Sequence, residues 1–152
     1  MRVLIQRVRA GSVTINGLEK LSIEQGLVIL LGITHTDSIG DVDYLVEKTI
    51  NLRVFEDDGG KMNLALRDVG GDVLIVSQFT LYGNCVKGRR PGFDAAASPE
   101  HAVPLYEKFI EKFKQNGINT VTGEFGAKML VDIQNDGPVT IMLESAQGKP
   151  VK

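Results

Sequence analysis

With 152 residues, 43% of them hydrophobic and 24% charged, the chain is long enough to bury one core and too ordinary in composition for a disordered or fibrous protein. Its formal net charge of −2 excludes a protein that coats nucleic acid through a general basic field, though not one that grips an RNA end with a local patch. The single cysteine, Cys85, rules out an intrachain disulfide, and no apolar run reaches membrane-spanning length.

A single domain over residues 1–152 in a reducing cytoplasm is therefore expected. The apolar stretch Val3-Leu4-Ile5 is too short for a secretory signal. Residues 3–15 are β-branched and roughly alternating, and Asn16-Gly17 then gives a two-residue hairpin signal with a return strand over 18–23. Residues 26–33 form a continuous apolar run bounded by glycines, the pattern of a buried strand. Asp37 or Ser38 caps a helix whose apolar face is Ile39, Val42, Val46, Thr49 and Ile50. Asp57-Asp58-Gly59-Gly60 reads as a turn, and residues 73–76 as a second buried strand running on into Ser77. Ser98-Pro99 opens a second helix with Ala102, Leu105, Tyr106, Phe109 and Phe113 on one face, and Gly117 closes it. Residues 128–134 and 139–144 read as two further strands joined by a turn at 135–138. The tail 145–152, with Gly148 and Pro150, is expected to be flexible.

These elements predict an α+β fold: a mainly antiparallel, barrel-like sheet in one domain, with two flanking helices. The chemistry that is missing narrows the function. There is no His-Glu-x-x-His, no Cys-x-x-Cys, no phosphate loop, no dinucleotide fingerprint and no Gly-x-Ser-x-Gly. Of the two histidines, His101 falls in the first turn of the second helix and His35 follows a strand as a loop or pocket residue. The one tight basic cluster is Lys87, Arg89 and Arg90, a solvated loop on charge alone.

Two short segments remain. In Ser77-Gln78-Phe79-Thr80-Leu81-Tyr82-Gly83, a strand reading puts Gln78, Thr80 and Tyr82 on one face and Ser77, Phe79 and Leu81 on the other. In Asn135-Asp136-Gly137-Pro138-Val139-Thr140, a Gly-Pro pair sits where a chain reversal is expected. Together they resemble the paired signature of the D-aminoacyl-tRNA deacylases. Ile5-Gln6-Arg7-Val8, Lys61-Met62-Asn63-Leu64 and Phe125-Gly126-Ala127-Lys128-Met129 extend the resemblance over nearly the whole chain. One departure is Gly92, where members often carry serine after Arg-Pro.

The resemblance implies the family's fold and a homodimer with its active site at the subunit interface. It also implies hydrolysis of the ester of a D-amino acid on the tRNA acceptor end, without cofactor or metal. Ser77, Gln78, Phe79 and Thr80 would surround the ester. Thr80 is the nucleophile that side-chain chemistry offers, yet its hydroxyl needs a base and none is near in sequence. The alternative is an oxyanion site of backbone N–H groups at Phe79 and Thr80, with water activated by the RNA 2′-hydroxyl. Gly137-Pro138, cis in the family, would reach into the partner's site, hold the substrate amine with two carbonyls and exclude L-side chains by clash. Many D-residues, and glycine, would pass such a filter. Arg7 is either a brace for the Gly-Pro carbonyls or a strand-face charge. Met129 either touches the terminal adenosine or fills the core. Lys87, Arg89 and Arg90 would take RNA phosphates. The rival readings are an editing enzyme of altered specificity and a non-catalytic dimer that binds RNA ends or peptides.

Overall fold

The structure, a computed structural model, describes residues 1–151. The chain begins with β1 (Arg2–Ile15), which turns at Asn16-Gly17 into β2 (Glu19–Ile23). Both turn residues have positive φ, +51° and +72°, as a two-residue hairpin that matches strand twist requires. β3 (Gly26–Gly32) runs antiparallel to the first half of β1, from Arg2 opposite Gly32 to Val8 opposite Gly26. α1 (Ile39–Ile50), the short hairpin β4 (Phe55–Glu56) and β5 (Met62–Leu64), and then β6 (Asp72–Ser77) follow. After β6 come α2 (Pro99–Gln115), β7 (Thr120–Thr122), β8 (Met129–Ala146) and β9 (Lys149–Pro150).

The main sheet is curled and mixed, in the order β7-β6-β3-β1-β8-β9 with β2 alongside β1. The expected α+β half-barrel and its two helices are present. The pairs β3–β6 and β6–β7 are parallel, however. Parallel neighbours need a long crossover, and α1 and α2 supply one each. β3 and β6 consequently lie buried on both faces, which accounts for their unbroken apolar runs. On one face Leu27, Ile29, Val73 and Ile75 pack against Leu45 and Ile50 of α1 and Phe109 and Phe113 of α2. On the other, Val28, Leu74 and Val76 meet Val8, Val13 and Ile15 inside the curl.

β8 departs from the expectation of two strands and a turn. It is one strand that pairs with β1 from Met129 opposite Ile15 to Glu144 opposite Arg2. No reversal occurs at Gly137-Pro138. The chain bulges there instead: Val8 faces Asn135 and Gln6 faces Thr140, so Arg7 alone stands opposite residues 136–139. The bulge inverts residue parity on β8, where Val131 and Ile133 pack inside the curl but Ile141 and Leu143 under the helices, and β1 inverts one step on, at a second irregularity between Val8 and Ala10. Val3 and Ile5 belong to the core under the helices, whereas Val13 and Ile15, also odd-numbered, belong to the core inside the curl. No helix among the described residues is long and apolar enough to cross a membrane.

Of the expected tail, residues 145–151 are described and form a hairpin with β8, and Lys152 lies outside the described residues. Gln147 and Gly148 adopt φ +55° and +71° and turn the chain into β9, which pairs with the end of β8. This hairpin docks on the N-terminus of α1 through Asp41, which is 0% exposed. The Asp41 carboxylate accepts from Ser145 Oγ at 2.6 Å, Gly148 N–H at 2.9 Å, Ser38 N–H at 2.9 Å and Ser38 Oγ at 3.1 Å. Burial pushes its pKa up, but the hydrogen bonds from Ser145, Gly148 and Ser38 outweigh it and hold the carboxyl below its ordinary value. The stability so gained is complete above the unfolded-chain pKa and is lost as pH falls through the depressed one. Asp41→Asn is therefore expected to cost about 1–3 kcal/mol at pH 7, the scale of buried donors left unmatched. Urea unfolding should show this gap narrowing as pH falls below the ordinary carboxylate range.

Candidate active site

β6 ends at Ser77, level with Leu31 of β3. The next N–H, that of Gln78, still donates to the Leu31 carbonyl at 2.7 Å. There the strand stops, and Phe79–Tyr82 form one 3-10 turn, so side chains do not alternate along 78–82 as a strand would have them. The turn closes with Leu81 N–H on the Gln78 carbonyl at 3.2 Å and Gly83 N–H on the Thr80 carbonyl at 2.9 Å. Among the described residues, the N–H groups of Phe79 and Thr80 meet no acceptor. This is the ordinary consequence of a turn's start, where the first donors have no partner within the turn. It leaves two adjacent donors unused at the rim of a cavity.

That cavity, of about 290 Å³, is bordered by Ser77, Gln78 and Phe79 on one side and by Phe125, Ala127 and Met129 on the other. Leu31 and Ile33 form its apolar floor. Tyr106 of α2 supports the far wall. Its ring lies 5.8 Å from that of Phe125, and its hydroxyl donates to the Ile75 carbonyl at 3.1 Å. Burial raises the Tyr106 pKa to about 12, so the phenol stays a neutral donor. Met129 is thus a wall residue of this cavity. Phe125 and Ala127 were visible in the sequence only as neighbours of Met129, because nothing in their apolar character separates a cavity wall from a core.

The Thr80 side chain is exposed, and its hydroxyl takes a hydrogen bond from the Gln78 amide. No carboxylate or imidazole reaches it among the described residues. His35 Nε2 is engaged with the Asp94 carbonyl at 2.8 Å, and His101 Nε2 with the Asp37 carbonyl at 3.0 Å. Thr80 therefore lacks the base that a hydroxyl nucleophile requires.

Lys87, Arg89 and Arg90 project from an exposed loop pinched at its base by Asn84 and Gly92, which exchange hydrogen bonds of 2.7 and 2.9 Å. Among the described residues no carboxylate pairs with these three cations. The loop leads into Phe93, whose ring stands edge-on to Phe79 at 4.9 Å. A Cβ at Gly92 would meet Asp94 only at an ordinary 3.6 Å, so the space for a serine there is intact.

Gly137 and Pro138 are exposed, joined by a cis bond, and outside the cavity lining of their own chain. Arg7, 4% exposed, holds the bulge from beneath. Its Nε donates to the Asp136 carbonyl at 2.8 Å, its Nη1 to the Val54 carbonyl at 2.7 Å, and its Nη2 approaches Glu56 at 3.4 Å. The carbonyl in the bulge that Arg7 braces is that of Asp136. The Asn135 side chain ties the far side, accepting from Val139 N–H at 2.7 Å and donating to Thr140 Oγ1 at 2.9 Å. Position 137 admits only glycine. Its φ is +134°, and a Cβ would lie 2.9 Å from Arg7 Nη2 and 2.8 Å from Val139 Cγ2.

Comparison with known proteins identifies the family. Residues 4–144 match the family model described as D-Tyr-tRNA(Tyr) deacylase. A D-aminoacyl-tRNA deacylase of Clostridioides difficile (strain 630) is 54% identical over 147 residues, covering 97% of this chain and 99% of that one. One of Thermus aquaticus is 55% identical over 147 residues, covering 97% of each. The solved structure of the c-Myc DNA Unwinding Element Binding Protein superposes with a TM-score of 0.88 at 42% identity, over 95% of this chain and 99% of that one. Fold and matches define an ester hydrolase acting on charged tRNA. The chain belongs to the D-aminoacyl-tRNA deacylase family.

Arg7 is the side chain on which the bulge rests. Arg7→Met strips the buried Val54 carbonyl and the part-buried Asp136 carbonyl of their donor and is expected to cost about 2–6 kcal/mol, at roughly 1–3 for each. Arg7→Lys can satisfy one carbonyl but not the fork, and should fall between. Urea unfolding midpoints of the three proteins check the order.

Proposed function

We propose that this enzyme cleaves D-aminoacyl-tRNA to free D-amino acid and tRNA in the cytoplasm, through a site built from peptide groups of two copies of the chain. The observation that carries this reading is the pair of unused N–H groups at Phe79 and Thr80 beside the cavity. They hold the ester carbonyl oxygen as it gains charge, a role in which one donor is typically worth about 10²–10³ in turnover. The terminal adenosine occupies the cavity against Met129 and Phe125. Lys87, Arg89 and Arg90 take nearby phosphates, contacts that position the RNA without reading its sequence.

Gly137 and Pro138 act on the second copy. Three features support this: they are exposed, they lie away from their own cavity, and they are held on an arginine. The free edge of β8 points the same way. Beyond β9 at its end, that edge has no strand partner among the described residues, and it carries the exposed Leu130 and Met142. Across the dimer, the bulge carbonyls bind the substrate ammonium, and its backbone fills the space an L-side chain would need. A D-side chain points away into solvent and is read only weakly. Glycine, with no side chain, passes the filter, so glycyl-tRNA is also a substrate.

The nucleophile is water, deprotonated with help from the 2′-hydroxyl of the terminal ribose. It attacks the ester carbon, and the 3′ oxygen leaves with a proton. The base-free surroundings of Thr80 favour this over a threonine acyl-enzyme. Single-turnover hydrolysis of D-tyrosyl-tRNA tests it. Thr80→Ala should stay within about tenfold of wild type, whereas a 2′-deoxy terminal adenosine should lose about 10²–10⁴, the range of a lost proton-transfer group. A Thr80→Ala enzyme without activity, acting on a substrate whose 2′-deoxy form is cleaved normally, would return the nucleophile role to Thr80.

A further inference from the structure

The turn that carries the two free N–H groups is short and exposed, and something must fix its orientation. Beneath it lies Gly32 at the end of β3, where an added Cβ would come within 3.0 Å of Leu81 Cβ and 3.2 Å of the Gln78 carbonyl. The only side chain that grips the backbone at the turn's far end, among the described residues, is Arg2. Its Nη1 donates to the Leu81 carbonyl at 2.8 Å. Its guanidinium carbon stands 4.6 Å from the centre of the Tyr82 ring. Its Nε is held by Glu144 at 2.7 Å, and Arg2 and Glu144 are direct cross-strand partners on β1 and β8.

The three contacts use different parts of one rigid planar group, so they fix its position and plane together. Burial and the charge of Asp37 raise the Tyr82 pKa, while Arg2 lowers it. The ring therefore stays neutral and keeps the π face on which the cation rests. We infer that Arg2, anchored by Glu144, is a positioning residue for deacylation: it locks the Phe79–Tyr82 turn to the β1–β8 pair so that the Phe79 and Thr80 N–H groups point at the oxyanion. Arg2 touches neither substrate nor reacting atoms. The inference rests on the proposed oxyanion role of the turn.

The experiment is single-turnover deacylation of D-tyrosyl-tRNA over a range of enzyme concentrations, on folded protein verified by thermal unfolding. Arg2→Gln should slow the saturated rate about ten- to a hundredfold, the effect of a small misplacement of a reacting geometry, with half-saturation nearly unchanged. Arg2→Lys, which keeps the charge and one donor, should recover most of the loss. Phe79→Pro removes one N–H at a position where the turn tolerates proline. In that background Arg2→Gln should add little, because both changes act on the same donor pair. Phe79→Pro at the wild-type rate would overturn the oxyanion reading and the role of Arg2 with it. A slow Phe79→Pro beside an Arg2→Gln at the wild-type rate would overturn the role of Arg2 alone. So would losses that multiply in the double variant, or an Arg2→Lys no better than Arg2→Gln.

Discussion

A guanidinium buried beneath a bulge sets the terms for the rest of this molecule. Between Val8 opposite Asn135 and Gln6 opposite Thr140, β1 spends one residue where β8 spends four. Such an excess survives only if the extra backbone is held and the strand beneath it is not left with unmatched groups. Arg7 does both, with one donor on the Asp136 carbonyl and another on that of Val54. A buried charge is costly unless its hydrogen-bonding capacity is used; here the Val54 and Asp136 carbonyls and the Glu56 carboxylate use it. Across this bulge β8 exchanges the face it shows to the two cores, and β1 does so one step on, where Arg9 is the extra residue between Val8 and Ala10. The change of face along β8 and the exposed Gly137-Pro138 backbone are thus two results of one local event.

The second half of the site has a different origin. β3 and β6 are parallel, buried on both faces and covered by helices. A turn leaves the end of β6, and its first two N–H groups are unmatched as a matter of geometry. In the proposed function these N–H groups, rather than an acid, base or metal ligand of the chain, present the electrostatic trap. A filter of backbone atoms can also be blind to side-chain identity while remaining sensitive to handedness. That combination suits an editing enzyme which must meet many amino acids.

Much of this was legible in the residues. Asn16-Gly17, Ser38, Ser98-Pro99 and Gly117 mark real element ends, because turns and caps are chosen by local chemistry. The two signature segments picked out the cavity rim and the bulge. What escaped were long-range pairings. The parallel strands could have been argued from the order strand, helix, strand, helix, strand, which demands crossovers, but counting short turns favoured hairpins. Gly137-Pro138 looked like a break between strands because proline cannot donate to a ladder. In a bulge that donor is not needed, so β8 runs through it. Gln147-Gly148 looked like loose tail composition, yet both residues suit the positive φ of a tight hairpin. The reach of Arg7 to the Asp136 carbonyl depended on the exact depth of the bulge, which one strand's sequence cannot supply.

The central claim is that the bulge of one copy completes the cleft of another, and trans-complementation tests it most directly. Phe79→Pro disables the donor end of a site, and Gly137→Ala disables the bulge end. Each homodimer should be inactive on D-tyrosyl-tRNA. Co-expressed with different tags and purified through both, the mixed dimer should regain about half the wild-type rate, since one of its two sites draws both ends from intact segments. A mixed dimer as inactive as its parents, or no dual-tagged species at all, would contradict a site shared between subunits.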